Sequence, residues 1–191
     1  MRIAVLASGS GTILQAMIEA SIPIQLVVTD RQCTAETIAT HNNITLKRIE
    51  RNSYGKDFDR DTYTCEVRDA LIDHEIDLIA MAGFGTILNK PIYDDFSNRI
   101  LNTHPSLLPS FPGWHAVEEA LEYGVKVTGC TVHIATEEVD AGPILAQESI
   151  PVLKDETKET LHERIKTVER QLYVDTINKF ITTNGQIERD Q

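Results

Sequence analysis

Short, nearly uninterrupted apolar runs alternate along this chain with stretches in which apolar residues recur every three or four positions. Arg2–Ala7 is the first run and Ile13–Ala20 the first stretch with helical spacing. Ile22–Asp30 reads as a second strand, Thr34–His41 as a helix, Ile44–Ile49 as a short strand, Phe58–His74 as a helix and Ile76–Ala82 as a fourth strand. Runs of this kind suit strands covered on both faces, and their alternation with helices predicts a parallel, doubly wound α/β sheet. Arg99–Leu101 reads as the end of another buried strand, and His115–Tyr123 is helical with Ala116, Val117, Ala120 and Leu121 on one stripe. Val125–Ala135 and Ile144–Val152 read as strands. The acidic turn between them is too short for a crossover, so they should be antiparallel. A long amphipathic helix over Thr157–Phe180 would turn Leu161, Ile165, Val168, Leu172 and Ile177 inward and Glu163, Lys166 and Arg170 outward. Residues 51–60 read as a polar loop and 184–191 as a polar tail. The expected fold is a single domain over 1–191: a mostly parallel sheet, antiparallel strands in its C-terminal half, and a long closing helix.

Composition narrows the function. With 191 residues, 41% of them hydrophobic and 25% charged, the chain is that of an ordinary globular protein. A net charge of −11 argues against nucleic acid as a partner, because phosphate contacts need clustered Lys and Arg. No apolar run approaches the ~18 residues of a membrane span. The opening run is too short for a secretion signal and passes straight into Gly and Ser, so a cytoplasmic protein is expected. Cys33, Cys65 and Cys130 are odd in number and far apart, which disfavours a disulfide framework.

Ser8-Gly9-Ser10-Gly11-Thr12 joins the first strand to the first helix, the layout in which loop N–H groups and a helix dipole hold a phosphate. A tight turn shaped only by sterics is the alternative. A dinucleotide fingerprint would need Gly or Ala where Leu14 stands, although Asp30 lies near the place of a ribose-binding acid; a Walker loop is absent. Gly83–Leu88 leaves the fourth strand as an apolar loop with two glycines, suited to wall a flat pocket or simply to pack.

The densest chemistry lies in Asn102–Gly113. Side chains two apart on a strand share a face, so Asn102 and His104 would project together before Pro105 pulls the chain out of the sheet. A neutral donor beside a titratable one at a strand's carboxyl end suits an incipient oxyanion; a turn cap and a core histidine are the plainer alternative. Asp140 sits in a Val-Asp-Ala-Gly-Pro turn where Asp is common for local reasons. Folded beside His104, it would favour a charged imidazolium. Ser106 lacks a Gly-x-Ser-x-Gly elbow, and Cys130 with His133 lacks a second ligand pair for zinc.

Taken in order, Ser8–Thr12, Ala82–Phe84, Leu101–Pro109, Phe111–Gly113, Gly129–His133 and Val139–Pro143 resemble the phosphoribosylglycinamide formyltransferase family, folate-dependent enzymes of purine synthesis, over about residues 1–180. The Asn-x-His-Pro-Ser-Leu-Leu-Pro segment with its downstream Asp is shared with methionyl-tRNA formyltransferase and formyltetrahydrofolate deformylase. The phosphate loop, the Phe-Pro-Gly-x-His continuation and the small size point to the glycinamide enzymes. The resemblance implies a formyltransferase fold, with a phosphate-binding half (about 1–100) and a catalytic, folate-binding half (about 101–191). It implies small-molecule substrates, with 10-formyltetrahydrofolate as donor and no metal, and fits a monomer or a homodimer. Asn102, His104 and Asp140 would be catalytic. Ser10, Gly11, Thr12, Ile13, Pro105, Ser106 and Glu169 would contact the glycinamide substrate. Arg60, Phe84, Gly85, Thr86, Ile87, Leu88, Asn102, Ala135 and Asp140 would contact the folate. Ile13 stands where the family commonly has Asn, and Gly85-Thr86 where it often has a Met-Arg type pair. A formyltetrahydrofolate hydrolase and a non-catalytic phosphate-binding module are the competing functions.

Overall fold

The computed structural model describes residues 1–185, so the last six residues of the expected polar tail lie outside the described residues. Seven strands and six helices follow one another in this span: β1 (Ile3–Ala7), α1 (Thr12–Glu19), β2 (Ile24–Thr29), α2 (Thr34–His41), β3 (Thr45–Arg48), α3 (Arg60–Asp73), β4 (Leu78–Met81), α4 (Lys90–Asp95), β5 (Ile100–His104), α5 (Ala116–Tyr123), β6 (Val127–Ile134), β7 (Ile144–Pro151) and α6 (Lys158–Thr182). The strands hydrogen-bond in the order β3-β2-β1-β4-β5-β6-β7. This is the mostly parallel, mixed α/β sheet that the alternation of runs predicts. Helix α4 was not foreseen: six residues with Pro91 in the first turn carry no readable period, and proline is tolerated there because its missing N–H would be unpaired anyway.

Two compact units divide the chain, Met1–Leu101 and Asn102–Gln191. In the first, β1 pairs in parallel with β2 and with β4, and β2 in parallel with β3. All five residues of β1 are fully buried, as a strand covered on both faces requires. Helix α3 starts where Asp59 accepts a hydrogen bond from the Thr62 N–H, satisfying one of the orphan donors of its first turn.

In the second unit β6 and β7 pair antiparallel, from Val127 opposite Pro151 to His133 opposite Ile144. Cys130 and Ile150 from these strands pack with Val117 of α5 and with Leu161 and Ile165 of α6. Thr157 caps α6 in a reciprocal box with Thr160. The inward stripe of α6 differs from the sequence expectation. Val168 and Leu172 pack against the core cluster but stay partly exposed, and Glu169 and Tyr173 join the buried stripe. Among the described residues no helix is long and apolar enough to cross a membrane.

One side chain in this unit is poorly matched to its surroundings. The Thr128 hydroxyl on β6 is buried without a hydrogen-bond partner. A buried hydroxyl left unpaired costs about 1–3 kcal/mol, and Val has the same shape without it. Thr128→Val should therefore stabilise the protein by about 1 kcal/mol, read as a Tm rise of roughly 2–4 °C by calorimetry.

Candidate active site

In the first unit the chain leaves β1 through Ser8–Gly11 and turns into α1. Gly11 is the N-cap, at a φ of 70°, with no side-chain cap and no acidic residue in the first turn. A Cβ there would lie 2.9 Å from the Ala35 Cα, so both the backbone angle and the approach of α2 demand glycine. The first N–H groups of α1 thus have no side-chain cap, the arrangement in which helix starts hold anions. Ser10 and Thr12 are exposed beside them, whereas the Ile13 side chain is buried and can offer a ligand only its backbone.

Loop 83–88 is drawn inward. Phe84 and Leu88 are buried, Ile87 is half-buried, and the Thr86 hydroxyl donates to Asp30 at 2.8 Å. The Gly85 N–H donates to the Ser8 hydroxyl. Burial pushes the Asp30 carboxyl up, but Arg31, Ser8 and Thr86 together hold it below the usual carboxylate range. Asp30 is therefore occupied internally. A Cβ on Gly85 would come within 2.6 Å of the Arg31 Nη2, so a larger residue at 85 would require the flexible Arg31 side chain to shift. Arg60, the first residue of α3, is exposed.

In the second unit four side chains form a continuous chain of contacts. Asn102 and His104 project from β5 with the expected two-residue spacing. His104 is 5% exposed, and its Nε2 lies 2.7 Å from the Phe111 carbonyl oxygen, which can only accept. Its Nδ1 lies 3.3 Å from Asp140 Oδ2. Acceptors thus face both ring nitrogens, an environment that suits a doubly protonated ring. The Gly113 N–H donates to the same Asp140 oxygen at 2.8 Å. Asp140 Oδ1 lies 3.6 Å from His133 Nε2, beyond hydrogen-bond length. His133 Nε2 is 3.1 Å from Asn102 Nδ2, and His133 Nδ1 is 3.0 Å from the Ile134 carbonyl. The carbonyl assigns the His133 proton to Nδ1, so Nε2 accepts from the Asn102 amide and orients it. One amide N–H of Asn102 is thereby committed.

Burial alone would push the Asp140 carboxyl up. The Gly113 N–H and the His104 charge outweigh it and hold the group below its ordinary value. Asp140 rides on an arm that leaves β6 at Ile134 and returns at Pro143, closed by an Ile134 N–H bond to the Pro143 carbonyl at 2.9 Å. The backbone at Asp140 is left-handed, φ 55°. Ala135 is half-buried at the foot of the arm.

The loop after β5 is pinned from beneath. The Thr131 hydroxyl donates to the Ser106 carbonyl at 2.7 Å and accepts from the Leu108 N–H at 3.0 Å; Gln147 reaches the Leu108 carbonyl at 2.9 Å. Ser106 itself is fully buried, its hydroxyl given to the Ser110 carbonyl, while Pro105 is half-buried. Beyond Gly113, Trp114 is 69% exposed. Thr103, between the two catalytic candidates, donates to the buried Glu169 of α6 at 2.9 Å. Desolvation raises the Glu169 carboxyl above its ordinary value, against the pull of Thr103, Lys166 and Arg170.

The structure thus gathers Asn102, His104 and Asp140 and adds His133, which side-chain reasoning alone passes over. Its signal was a polar residue ending the Gly129–His133 motif. Cys130 and His133 are separated in environment: Cys130 sits in the core cluster, where burial pushes its thiol up to about 12.

Residues 1–177 match the formyl transferase family. A phosphoribosylglycinamide formyltransferase of Mycobacterium tuberculosis is 42% identical over 186 residues, covering 95% of this chain and 85% of the relative. The crystal structure of a phosphoribosylglycinamide formyltransferase from Bacillus halodurans superposes with a TM-score of 0.87 at 34% identity, covering 95% of both chains. A formyltetrahydrofolate deformylase from Pseudomonas syringae shares the fold, with a TM-score of 0.84 at 24% identity over 92% of this chain and 59% of its own.

Proposed function

The chain belongs to the formyl transferase family, and from that premise we propose that it moves the formyl group of 10-formyltetrahydrofolate to the amine of phosphoribosyl-glycinamide, a step of purine synthesis. The observation that carries this reading is the unbroken run of contacts Asn102–His133–Asp140–His104. When the substrate amine adds to the formyl carbon, negative charge develops on the formyl oxygen. Asn102, through its remaining amide N–H, and His104, through Nδ1–H, are the donors for that charge. The Nε2–H of His104 is already given to Phe111, so the Nδ1–H is the donor that the formyl oxygen would share with Asp140 Oδ2, 3.3 Å away. Asp140 holds the imidazolium and, as an ionised carboxylate, accepts the proton shed by the amine and passes it towards the departing folate nitrogen.

The halves of the chain take separate tasks in this proposal. The uncapped start of α1 with Ser10, Gly11 and Thr12 binds the substrate phosphate, and Asn102–Gln191 carries the chemistry. Ile13, Thr86 and Ser106, whose side chains turn inward, would contribute through backbone groups alone. Phe84–Leu88, Ala135 and Arg60 serve the folate. Glu169 and Pro105 serve the glycinamide substrate. The reaction proposed is that of a cytoplasmic biosynthetic enzyme acting on small molecules, as a monomer or a homodimer.

Incubation with 10-formyltetrahydrofolate, with and without the glycinamide substrate, tests the proposal. Folate release that requires the amine acceptor supports transfer. Release in its absence would make the protein a hydrolase, and binding of phosphate with no release a regulatory module.

Glu169 should show a conflict between stability and activity. Its carboxyl titrates above its ordinary 4.5 in the fold, so the folded state binds more protons than the unfolded one and stability falls as pH rises from 4.5 through the raised value. Glu169→Gln keeps an acceptor for Thr103 without the charge. At neutral pH it should raise Tm by roughly 2–4 °C, about 1 kcal/mol, flatten that pH dependence in calorimetry and weaken the glycinamide KM.

A further inference from the structure

We propose that Phe111 is a positioning residue: its main-chain carbonyl, presented by a left-handed backbone and steadied by the Tyr123 ring, fixes the His104 imidazole so that Nδ1 faces Asp140. This rests on the formyl-transfer reading above and extends it to a part of the machinery that offers no side-chain chemistry.

Phe111 has a φ of 53°, a region that bulky residues seldom occupy. It also precedes Pro112, whose ring favours an extended conformation in the residue before it. Two local preferences are overridden together, and the result is a carbonyl oxygen 2.7 Å from His104 Nε2. A φ in the extended region would turn that oxygen away from the ring. Among the contacts that stand against the relaxation is that of the Phe111 ring with Tyr123, edge to face at a centroid distance of 6.0 Å and an interplanar angle of 63°. Tyr123 ends α5, and its side chain is otherwise in solvent, the residue being 82% exposed. Two residues further on, the Gly113 N–H holds the Asp140 carboxylate at 2.8 Å. Phe111–Gly113 therefore supplies an acceptor to the imidazole and a donor to the carboxylate from one short piece of backbone. Neither the ring nor the acid can rotate without breaking a bond to that segment. Orientation of this kind is worth large factors in rate, because a reacting group misplaced by about 1 Å can cost up to about 10²-fold.

The test uses the full chain with Tyr123→Ala, Tyr123→Phe and Phe111→Ala. In ligand-free wild type, proton NMR should show the His104 Nε2–H as a resolved, slowly exchanging resonance. Tyr123→Ala and Phe111→Ala should speed its exchange by about tenfold or more and lower kcat by about tenfold, with both KM values within about twofold of wild type. Tyr123→Phe, which keeps the ring, should restore both readouts. Because Tyr123 is a surface residue, its alanine variant tests the idea even if Phe111→Ala folds poorly. An unchanged Nε2–H resonance and kcat in Tyr123→Ala, or equal losses in Tyr123→Phe, would overturn the proposal. The resonance is read without substrate, so it stands or fails separately from the formyl-transfer assay.

Discussion

Alanine in place of His104 or Asn102 is expected to lower kcat by about 10²–10³-fold while leaving a folded protein. Each change removes one of two donors aimed at charge that exists only while the formyl carbon is tetrahedral, so kcat and kcat/KM should fall together. His104→Ala also strands the Phe111 carbonyl and the buried Asp140 carboxylate, so it should cost some stability as well as rate. Asp140→Asn should be comparably damaging for a different reason, since the amide can neither hold the imidazolium nor take a proton. Asparagine tolerates the left-handed φ of 55° found there, which makes it a cleaner probe than alanine. His104 and Asp140 act as a unit, so the double variant should fall well short of the product of the two single losses. The sign of the pH effect on stability is also set. A carboxyl held below its ordinary 3.8 stabilises the fold above that pH and loses the contribution as pH falls through the depressed value. Acid unfolding of Asp140→Asn should be less steep than that of wild type. Steady-state kinetics, circular dichroism and acid titration check these outcomes.

Gly142→Ala should abolish most activity through structure alone. A Cβ at this position would stand 1.9 Å from the Ile134 carbonyl oxygen and 3.0 Å from its carbon, main-chain atoms that cannot swing aside. The arm closed by the Ile134 to Pro143 bond must open, and Asp140 lies two residues away on it. A destabilisation of about 2 kcal/mol or more is expected, together with a kcat loss approaching that of Asp140→Asn. Urea melts and kinetics on the same preparation separate the two effects. A variant that folds normally and turns over at the wild-type rate would mean that the arm has slack the structure does not show.

Much of this arrangement is legible in the residues themselves. The apolar runs of β1, β2 and β4 mark strands buried on both faces, and the short acidic turn before Ile144 forces β6 and β7 antiparallel. The spacing of Asn102 and His104 places both on one face of β5 because the strand period is two. Other parts leave no such trace. The Phe111 carbonyl and the Gly113 N–H belong to every peptide unit alike, so their roles depend on where the loop turns. His133 looks like one polar residue in an alternating strand, and only the partner chosen by each ring nitrogen reveals what it orients. Ser106 falls in a matching motif and Ile13 and Thr86 at departures from the family's pattern, yet local hydrogen bonds and core packing turn all three side chains inward. Two of the acids on α6 show the same limit. Glu163 is exposed as its polarity predicts, while Glu169 is buried because Thr103 meets it from β5.

Trp114 follows directly on the glycine whose N–H grips Asp140, and it is the chain's one tryptophan. Light emitted on indole excitation therefore comes from a single place, the shoulder of the reacting centre, with no background from elsewhere in the molecule. Its solvent-facing ring starts from a red-shifted spectrum, so any occupant that drapes over the Phe111–Gly113 corner must move the emission towards the blue. The enzyme can be titrated with its own optical label, and donor and acceptor affinities can be measured without attaching a dye.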